Sequence, residues 1–389
     1  MKARKRSIFV LFVLAVAAII AVTVQQAQGE RRQQPAAQEQ TVWEFQIPTE
    51  LQAQFYEFAI TPGEQQVIVT SPQAVWRINE GGELEQIVPL EVGAEQGESA
   101  TLAQDGSRVG IMVHQQHAIA GFRLVDLTGN VVASVEDPFQ FHYRVSPRGD
   151  SFVGIDAAGE HIQVNAERFI YTFYDESGVV TARITSENPQ PSDSVYTPDG
   201  QGFVVSNAEG VFAYAISSGE PLWEIRKPAR LFAPASIDSQ LVVVSDAAER
   251  NIVEASRGGS TLWQFPIEGN VRNLIISSNG EFIVATGGST AYLFTPTSES
   301  PVWSFPMPEK DFTINSVAVN DRGVVALGAQ HSELRQGLVI VLDAGRNTMF
   351  ERELTYELSN AWIPGVQFDQ SGVYILVRSL EELILLATE

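Results

Sequence analysis

Eight times along the chain, a Gly- or Asx-bearing turn is followed at once by a run of β-branched and other apolar residues. The turns are TPGEQQVIV at Gly63, AQDGSRVGIMV at Gly106, SPRGDSFVGI at Gly149, TPDGQGFVV at Gly200, SSNGEFIVA at Gly280, NDRGVVAL at Gly323 and DQSGVYILV at Gly372. SIDSQLVVV fills the remaining gap, with Ser239 where Gly is expected. A short apolar stretch precedes each turn. After the apolar run come a second loop and a strand of alternating apolar and polar positions, such as GFRLVDL (121–127), GVFAYAI (210–216) and GLVIVLD (337–343). Alternation with a period of two marks a strand with one buried face, and Gly, Asn, Asp and Pro punctuate the ends. Successive turns lie 43, 43, 51, 39, 41, 43 and 49 residues apart, a period that marks a repeat array.

Each unit needs a fourth, outer strand, and tryptophan marks four of these: TVWEFQIP (41–48), PLWEIRKP (221–228), TLWQFPIE (261–268) and PVWSFPMP (301–308). A Trp followed by alternating apolar residues (Ile225, Phe265, Phe305) covers much area on the adjoining strand. The prolines behind it (Pro228, Pro266, Pro306) end the strand at a sheet edge, where a missing ladder donor costs little. Four antiparallel strands per unit make a propeller blade. The eighth unit, VQFDQSGVYILVRSLEELILLATE, supplies only three strands, and TVWEFQIP is a fourth strand without a blade. The pattern therefore predicts an all-β, eight-bladed β-propeller over residues 41–389, closed by residues 41–48 pairing with the last strand of the eighth blade.

The string GVFAYAISSGEPLWEI resembles the quinoprotein-type repeat, and ISSNGEFIVATGGSTAYLFTPTSESPVWSF is similar to WD40-like repeats of bacterial envelope proteins. The resemblance covers residues 41–389 and specifies a fold, not an activity. Relatives that carry pyrroloquinoline quinone commonly use a calcium site of Glu, Asn and Asp, a stacking Trp and often adjacent cysteines. This chain has no cysteine and no acidic cluster that matches that site, so no cofactor is expected. In function the chain is expected to resemble the eight-bladed lipoprotein of the outer-membrane barrel-assembly machinery, from which it departs by lacking a lipidated cysteine.

The first 29 residues stand apart. Lys2, Arg4, Lys5 and Arg6 precede 17 uncharged, mainly apolar residues from Ile8 to Val24, and Ala27-Gln28-Gly29 places small residues where a signal peptidase reads. The segment reads equally as a cleaved signal peptide or a retained transmembrane anchor. Either way residues 41–389 are expected on the periplasmic side of the inner membrane, touching the membrane only through this segment. Residues 30–40, ERRQQPAAQEQ, read as a flexible linker. Without cysteine the body gains no disulfides, and packing alone must hold it. The formal charge is −22, or −26 once the four leader cations are removed, which makes nucleic acid an unfavourable partner.

Candidate chemistry is sparse. His114 and His117 form the one close histidine pair, expected in the loop after RVGIMV, with no Cys or carboxylate nearby to complete a metal site. His161 and His331 are expected isolated in loops. No nucleophile elbow, zincin helix, phosphate loop or calcium loop occurs. Aligning the units on their turns places Glu57, Ser99, His142, Asp193, Phe232, Asn273, Ser316 and Gly365 in a ring where the innermost strands begin. This ring, at the mouth of the central channel, is either a polar ligand or peptide site or the lining of a water-filled entrance. The connections between blades are aromatic, with Phe55, Tyr56, Phe139, Phe141, Phe232 and Trp362, and serve either as partner anchors or as buried contacts between blades. The expected function is a monomeric, non-catalytic scaffold binding an envelope protein or peptide, with Trp362 added to the channel-mouth set. The alternative is a hydrolase or cyclase using channel carboxylates and His142.

Overall fold

The structure, a computed structural model, describes residues 41–51, 57–61, 65–92, 96–115, 118–136, 140–157, 169–186, 193–207, 209–227, 229–234, 241–246, 249–331, 333–355 and 364–388. The leader, the linker, His117, His161 and Trp362 lie outside them, as do Phe55, Tyr56 and Phe139 of the aromatic connections; for Phe141, Asp193 and Phe232 only the backbone is described. Among the described residues no helix is long and apolar enough to cross a membrane.

The described strands form eight antiparallel sheets of four. Blades 1 to 7 follow chain order, from Phe58–Ile60 at the start of blade 1 to Thr348–Thr355 at the end of blade 7. Within each, the first strand is innermost and the fourth outermost. Six of the turns between first and second strands place glycine (Gly106, Gly149, Gly200, Gly280, Gly323, Gly372) at φ of 68 to 75°. A side chain there would be strained, which is why glycine keeps the repeat's period.

Blade 8 joins two distant parts of the chain. Gly365–Phe368, Tyr374–Arg378 and Glu382–Ala387 supply its inner three strands, and Thr41–Gln46 is its outer strand, with Trp43 opposite Leu385 and Phe45 opposite Leu383. The ring is closed as the tryptophan pattern predicts.

The core runs as a belt between blades. Trp43, Trp223, Trp263 and Trp303 are all buried on outer strands, each packed into the interface with the following blade or its own sheet. Blades 2 and 3 carry Ala133 and Ala182 at the equivalent outer position, opposite Leu124 and Phe173. Aromatic residues on their inner strands fill the space instead. Phe122 stacks on Tyr143 at 4.6 Å, and Phe152 on Tyr174 at 4.8 Å. Gly110 is needed in this stack, because a Cβ there would sit 2.6 Å from the Phe122 ring.

Two sequence expectations are corrected. His114 lies inside the strand Arg108–Gln115, beside a register shift between Val113 and His114, and not in a loop. His331 ends the strand Val325–His331; it is buried, and its Nδ1 accepts the backbone N–H groups of Glu333 and Leu334. A polar residue does not by itself end a strand: His114 continues one, and His331 buries its imidazole at a strand end where it caps the turn beyond.

Candidate functional site: the central channel

Each innermost strand is hydrogen-bonded along one edge only, so its other backbone edge faces the axis or the next blade. Side chains of such a strand alternate sideways, toward the two neighbouring blades, and not straight into the channel. This geometry decides what the predicted ring does. Glu57, Ser316 and Gly365 line a central channel of about 750 Å³ to which all eight blades contribute; Ser99, His142 and Asn273 do not line it.

Three ring side chains stitch their blade to the next one. The Glu57 carboxylate accepts the Leu102 N–H of blade 2 at 2.7 Å. Asn273 donates to the Ile314 carbonyl of blade 7 at 3.2 Å and to Thr286 Oγ1 within its own blade at 2.9 Å. Ser316 Oγ accepts the Val366 N–H of blade 8 at 3.0 Å. Each of the three bonds to the next blade engages a backbone group there, at a net value of roughly 1 kcal/mol. Ser99 instead shares a 2.8 Å hydrogen bond with His114 Nε2 within blade 2. His142 is half-buried, and burial followed by the nearby Arg144 charge holds its imidazole below the usual range.

Phe232 is out of register. In blade 4, Tyr196 pairs with Phe203 and Asp193 with Ser206; in blade 5, Pro234 pairs with Val242, so Leu231, opposite Ser245, takes the position equivalent to Asp193. Seven residues separate Pro234 from Val242, where six separate Tyr196 from Phe203, and the extra residue shifts the strand by one.

Sequence alignment on the turns missed two cations. Arg144 lines the channel at a position where blades 4, 5, 6 and 7 carry Val195, Ala233, Ile275 and Ala318. Arg378 lines it from the second strand of blade 8, where blades 1, 4, 5 and 6 carry Thr70, Ser206, Ser245 and Thr286. Its guanidinium lies over the Phe58 ring, 4.7 Å from the centroid, and burial holds it below the usual arginine range. A Cβ on Gly365 would come within 3.2 Å of Arg378 Nε, so glycine makes room for this side chain. An arginine inside the apolar runs HYRVS and YILVRS was the signal available in the sequence.

The charged wall has two ends. Glu57 and Arg378 belong to the half where innermost strands begin, the connection side, whereas Arg144 is one residue from the turn end of its strand, Gln140–Val145. Burial pushes the Glu57 carboxyl up, against the Leu102 N–H, Thr101 and the Arg144 charge, which lower it; the group reaches channel water but is surrounded by protein. Asp321 and Asp369 belong to the turns at the opposite mouth. Asp321 accepts the Asn279 N–H at 2.7 Å, and Asp369 accepts the Tyr374 N–H at 2.8 Å. Among the described residues no three His, Asp or Glu side chains converge as metal ligands would.

No protein-family model and no curated protein sequence matches the chain. Its fold is similar to that of the C-terminal WD40 domain of Sif2, with a TM-score of 0.62, 13% identity, and coverage of 91% of this chain and 99% of that one. BamB from Moraxella catarrhalis gives 0.53 and 12% over 89% and 99%. The dihydro-heme d1 dehydrogenase NirN, in complex with DHE, gives 0.55 and 12% over 78% and 67%. At these identities the likeness is one of fold: an eight-bladed propeller similar to WD40 and BamB propellers.

Proposed function

We propose that this propeller is a non-catalytic scaffold that binds a protein or peptide partner at the connection-side mouth of its channel. The observation that carries the reading is the contrast along the channel. Ring side chains that could have formed a reactive cluster are spent on stitching blades together, while two arginines break the repeat to face the channel. A rigid wall with a few placed charges suits recognition better than turnover, which needs a nucleophile, base and oxyanion donors within hydrogen-bond reach of one another. The likeness to a chain from a mitotic checkpoint complex, at a TM-score of 0.50, and to BamB is in keeping with a binding role.

The proposal extends to location. Residues 1–29 act as a signal peptide or anchor, residues 30–40 as a linker, and the body works as a monomer in the bacterial periplasm beside an envelope protein or peptide. The cationic-then-apolar leader and the BamB-like fold support this. Photo-crosslinking residues placed at Gln367 and, as a control, at rim residue Val302 test the binding reading in native envelopes. A discrete adduct from Gln367 and none from Val302 is expected. Equal labelling at both positions, or none at Gln367, would remove the channel mouth as the docking site.

A further inference from the structure

We propose that the rim of blades 2 and 3 is a second docking surface, which takes a basic, aliphatic segment of a partner protein. The surface is separate from the channel, so its failure would leave the channel reading untouched.

The first support is where apolar side chains reach water. Among the described residues nine large hydrophobic side chains are exposed, and four of them, Val131, Val132, Val179 and Val180, lie at the hairpin ends of two neighbouring outer strands, Val131–Val135 and Val180–Ser186. Val131 and Val179 are the most open of the four, at 54% and 60%. Blades 4, 5 and 6 expose one such side chain each at the same end, Leu222, Leu262 and Val302, and a single exposed aliphatic group is ordinary on any surface. Two pairs side by side are not. A Cβ built on Gly178 would lie 3.5 Å from the Ala133 Cβ, so the residue before Val179 rests against the residue after Val132 and the valine pairs adjoin.

The second support is an unguarded edge. The outer strand of a blade is a sheet edge, and such edges are ordinarily blunted by proline or by charge. Blades 1, 3, 4, 5, 6, 7 and 8 obey this with Pro89, Arg183, Pro221, Pro266, Pro306, Arg352 and Glu44. The outer strand of blade 2, VVASV, has neither proline nor charge. The hairpin of blade 3 stands beside the middle of that strand, where a Cβ on Gly178 would be 3.7 Å from the Ser134 carbonyl oxygen. A partner therefore meets valine side chains and does not simply extend the sheet.

The third support is charge. The same strands and hairpins carry Asp126, Glu136, Asp175 and Glu176, against one cation, Arg183, in residues 126–136 and 175–186. Two of the acids are fixed in place by their own turns: the Asp126 carboxylate accepts the N–H groups of Thr128 and Asn130, and that of Asp175 accepts those of Ser177 and Val179. A second copy of this chain, itself at −22, would bring the same acids to the contact, and an anionic lipid surface would be repelled in the same way. Complementarity favours a protein segment whose aliphatic side chains are flanked by lysine or arginine.

The test is fluorescence anisotropy of three labelled peptides titrated with the full chain: fluorescein-Lys-Lys-Leu-Val-Val-Leu-Lys-Lys-amide, its counterpart with Glu for Lys, and its counterpart with Ser for Leu and Val. The basic aliphatic peptide should bind, and each counterpart should bind at least about tenfold more weakly. Val131→Ser combined with Val179→Ser should cut affinity about tenfold and leave the melting curve in place, because both side chains already face water. Val302→Ser is the control and should change nothing. Glu136→Gln combined with Glu176→Gln should weaken binding about threefold in low salt and have no effect in about 0.5 M salt. If the Ser peptide binds as well as the aliphatic one, or if the two valines can be removed without loss, overall acidity alone attracts the peptide and the inference falls. It falls too if none of the peptides binds. Two further results would overturn it by naming another occupant: a dimer that the valine substitutions abolish, or a fluorophore on Val179→Cys, then the sole thiol in the chain, that enters phosphatidylcholine vesicles.

Discussion

Blades 5 and 6 are each drawn from one continuous stretch, Ala229 to Pro266 and Val271 to Pro306, whereas blade 8 takes its outer strand from a part of the chain more than three hundred residues away. The same tryptophan does the same packing in both settings. Trp263 and Trp303 are buried and donate their indole N–H groups to the Pro296 and Ala344 carbonyls, in the hairpin turns between third and fourth strands of the next blade. Trp43 is equally buried, but it donates to the Gln65 carbonyl, in the turn between the first and second strands of blade 1. Gln65 holds a left-handed φ of 52° there and donates its own amide to Tyr374 of blade 8. A contiguous blade has a hairpin to hold its outer strand; blade 8 uses cross-blade contacts in its place. Arg352 of blade 7 reaches both sides of the seam, pairing with Glu44 at 2.5 Å and with Glu382 at 3.3 Å.

The difference has a consequence for dynamics. In blade 6 the outer strand cannot leave without opening a hairpin, whereas in blade 8 it can detach as a unit while seven blades remain. Local opening of that kind has a lower free energy than global unfolding.

The largest way to break the comparison is to delete residues 41–48. This removes Trp43, Phe45 and Ile47 from the core and exposes the Glu382–Ala387 strand edge, and the loss is comparable with the roughly 5–15 kcal/mol that holds a typical domain. The melting temperature should fall sharply, and an unchanged melting curve would contradict the closure. Next in size are Trp43→Ala and Trp263→Ala, each expected to cost about 3–5 kcal/mol. They should differ in kind. Hydrogen exchange at 42–46 should accelerate in Trp43→Ala well before global unfolding, while exchange at 261–265 in Trp263→Ala should follow the global transition.

Polar contacts sharpen the contrast on a smaller scale. Inside blade 5 the buried Glu254 carboxylate accepts from Gln264, Thr261 and Ser256, at 2.7 to 3.0 Å, and pairs with Lys227 at 3.2 Å. Burial pushes its acid up, but these bonds and the Lys227 charge outweigh that and hold it below the usual value of 4.5. The stability it contributes is therefore complete above that value and is lost as pH falls through the lower folded one. Glu254→Gln should flatten the acid limb of stability against pH, which urea titrations at pH 3 to 7 would show as a smaller acid-dependent loss than in the parent. The seam pairs of Arg352 are partly exposed, so Arg352→Ala should cost no more than about 1 kcal/mol, and less in high salt.

Much of this was readable from residue order. The turn glycines set a ruler because only glycine holds that φ without strain, and the orphan TVWEFQIP matched three strands already placed in blades. The candidate site was less legible. Glu57, Asn273 and Ser316 were placed on the right strands, yet a turn-based alignment does not say that an innermost strand points its side chains at its neighbours. Phe232 was misplaced by a single added residue, which no turn motif flagged. Arg144 and Arg378 were passed over because they occur once each, and a search for repetition discards what does not repeat.

A disulfide across the seam tests the ring most directly. Gln46 and Glu382 are register partners, and the chain contains no cysteine, so Gln46→Cys with Glu382→Cys has no competing thiol. Closed as described, the double variant should oxidise to an intramolecular bond without added denaturant, migrate faster on a non-reducing gel and gain up to about 5 kcal/mol in stability. Thiols that stay free under oxidation, or that link only between molecules, would contradict a wheel closed by that strand.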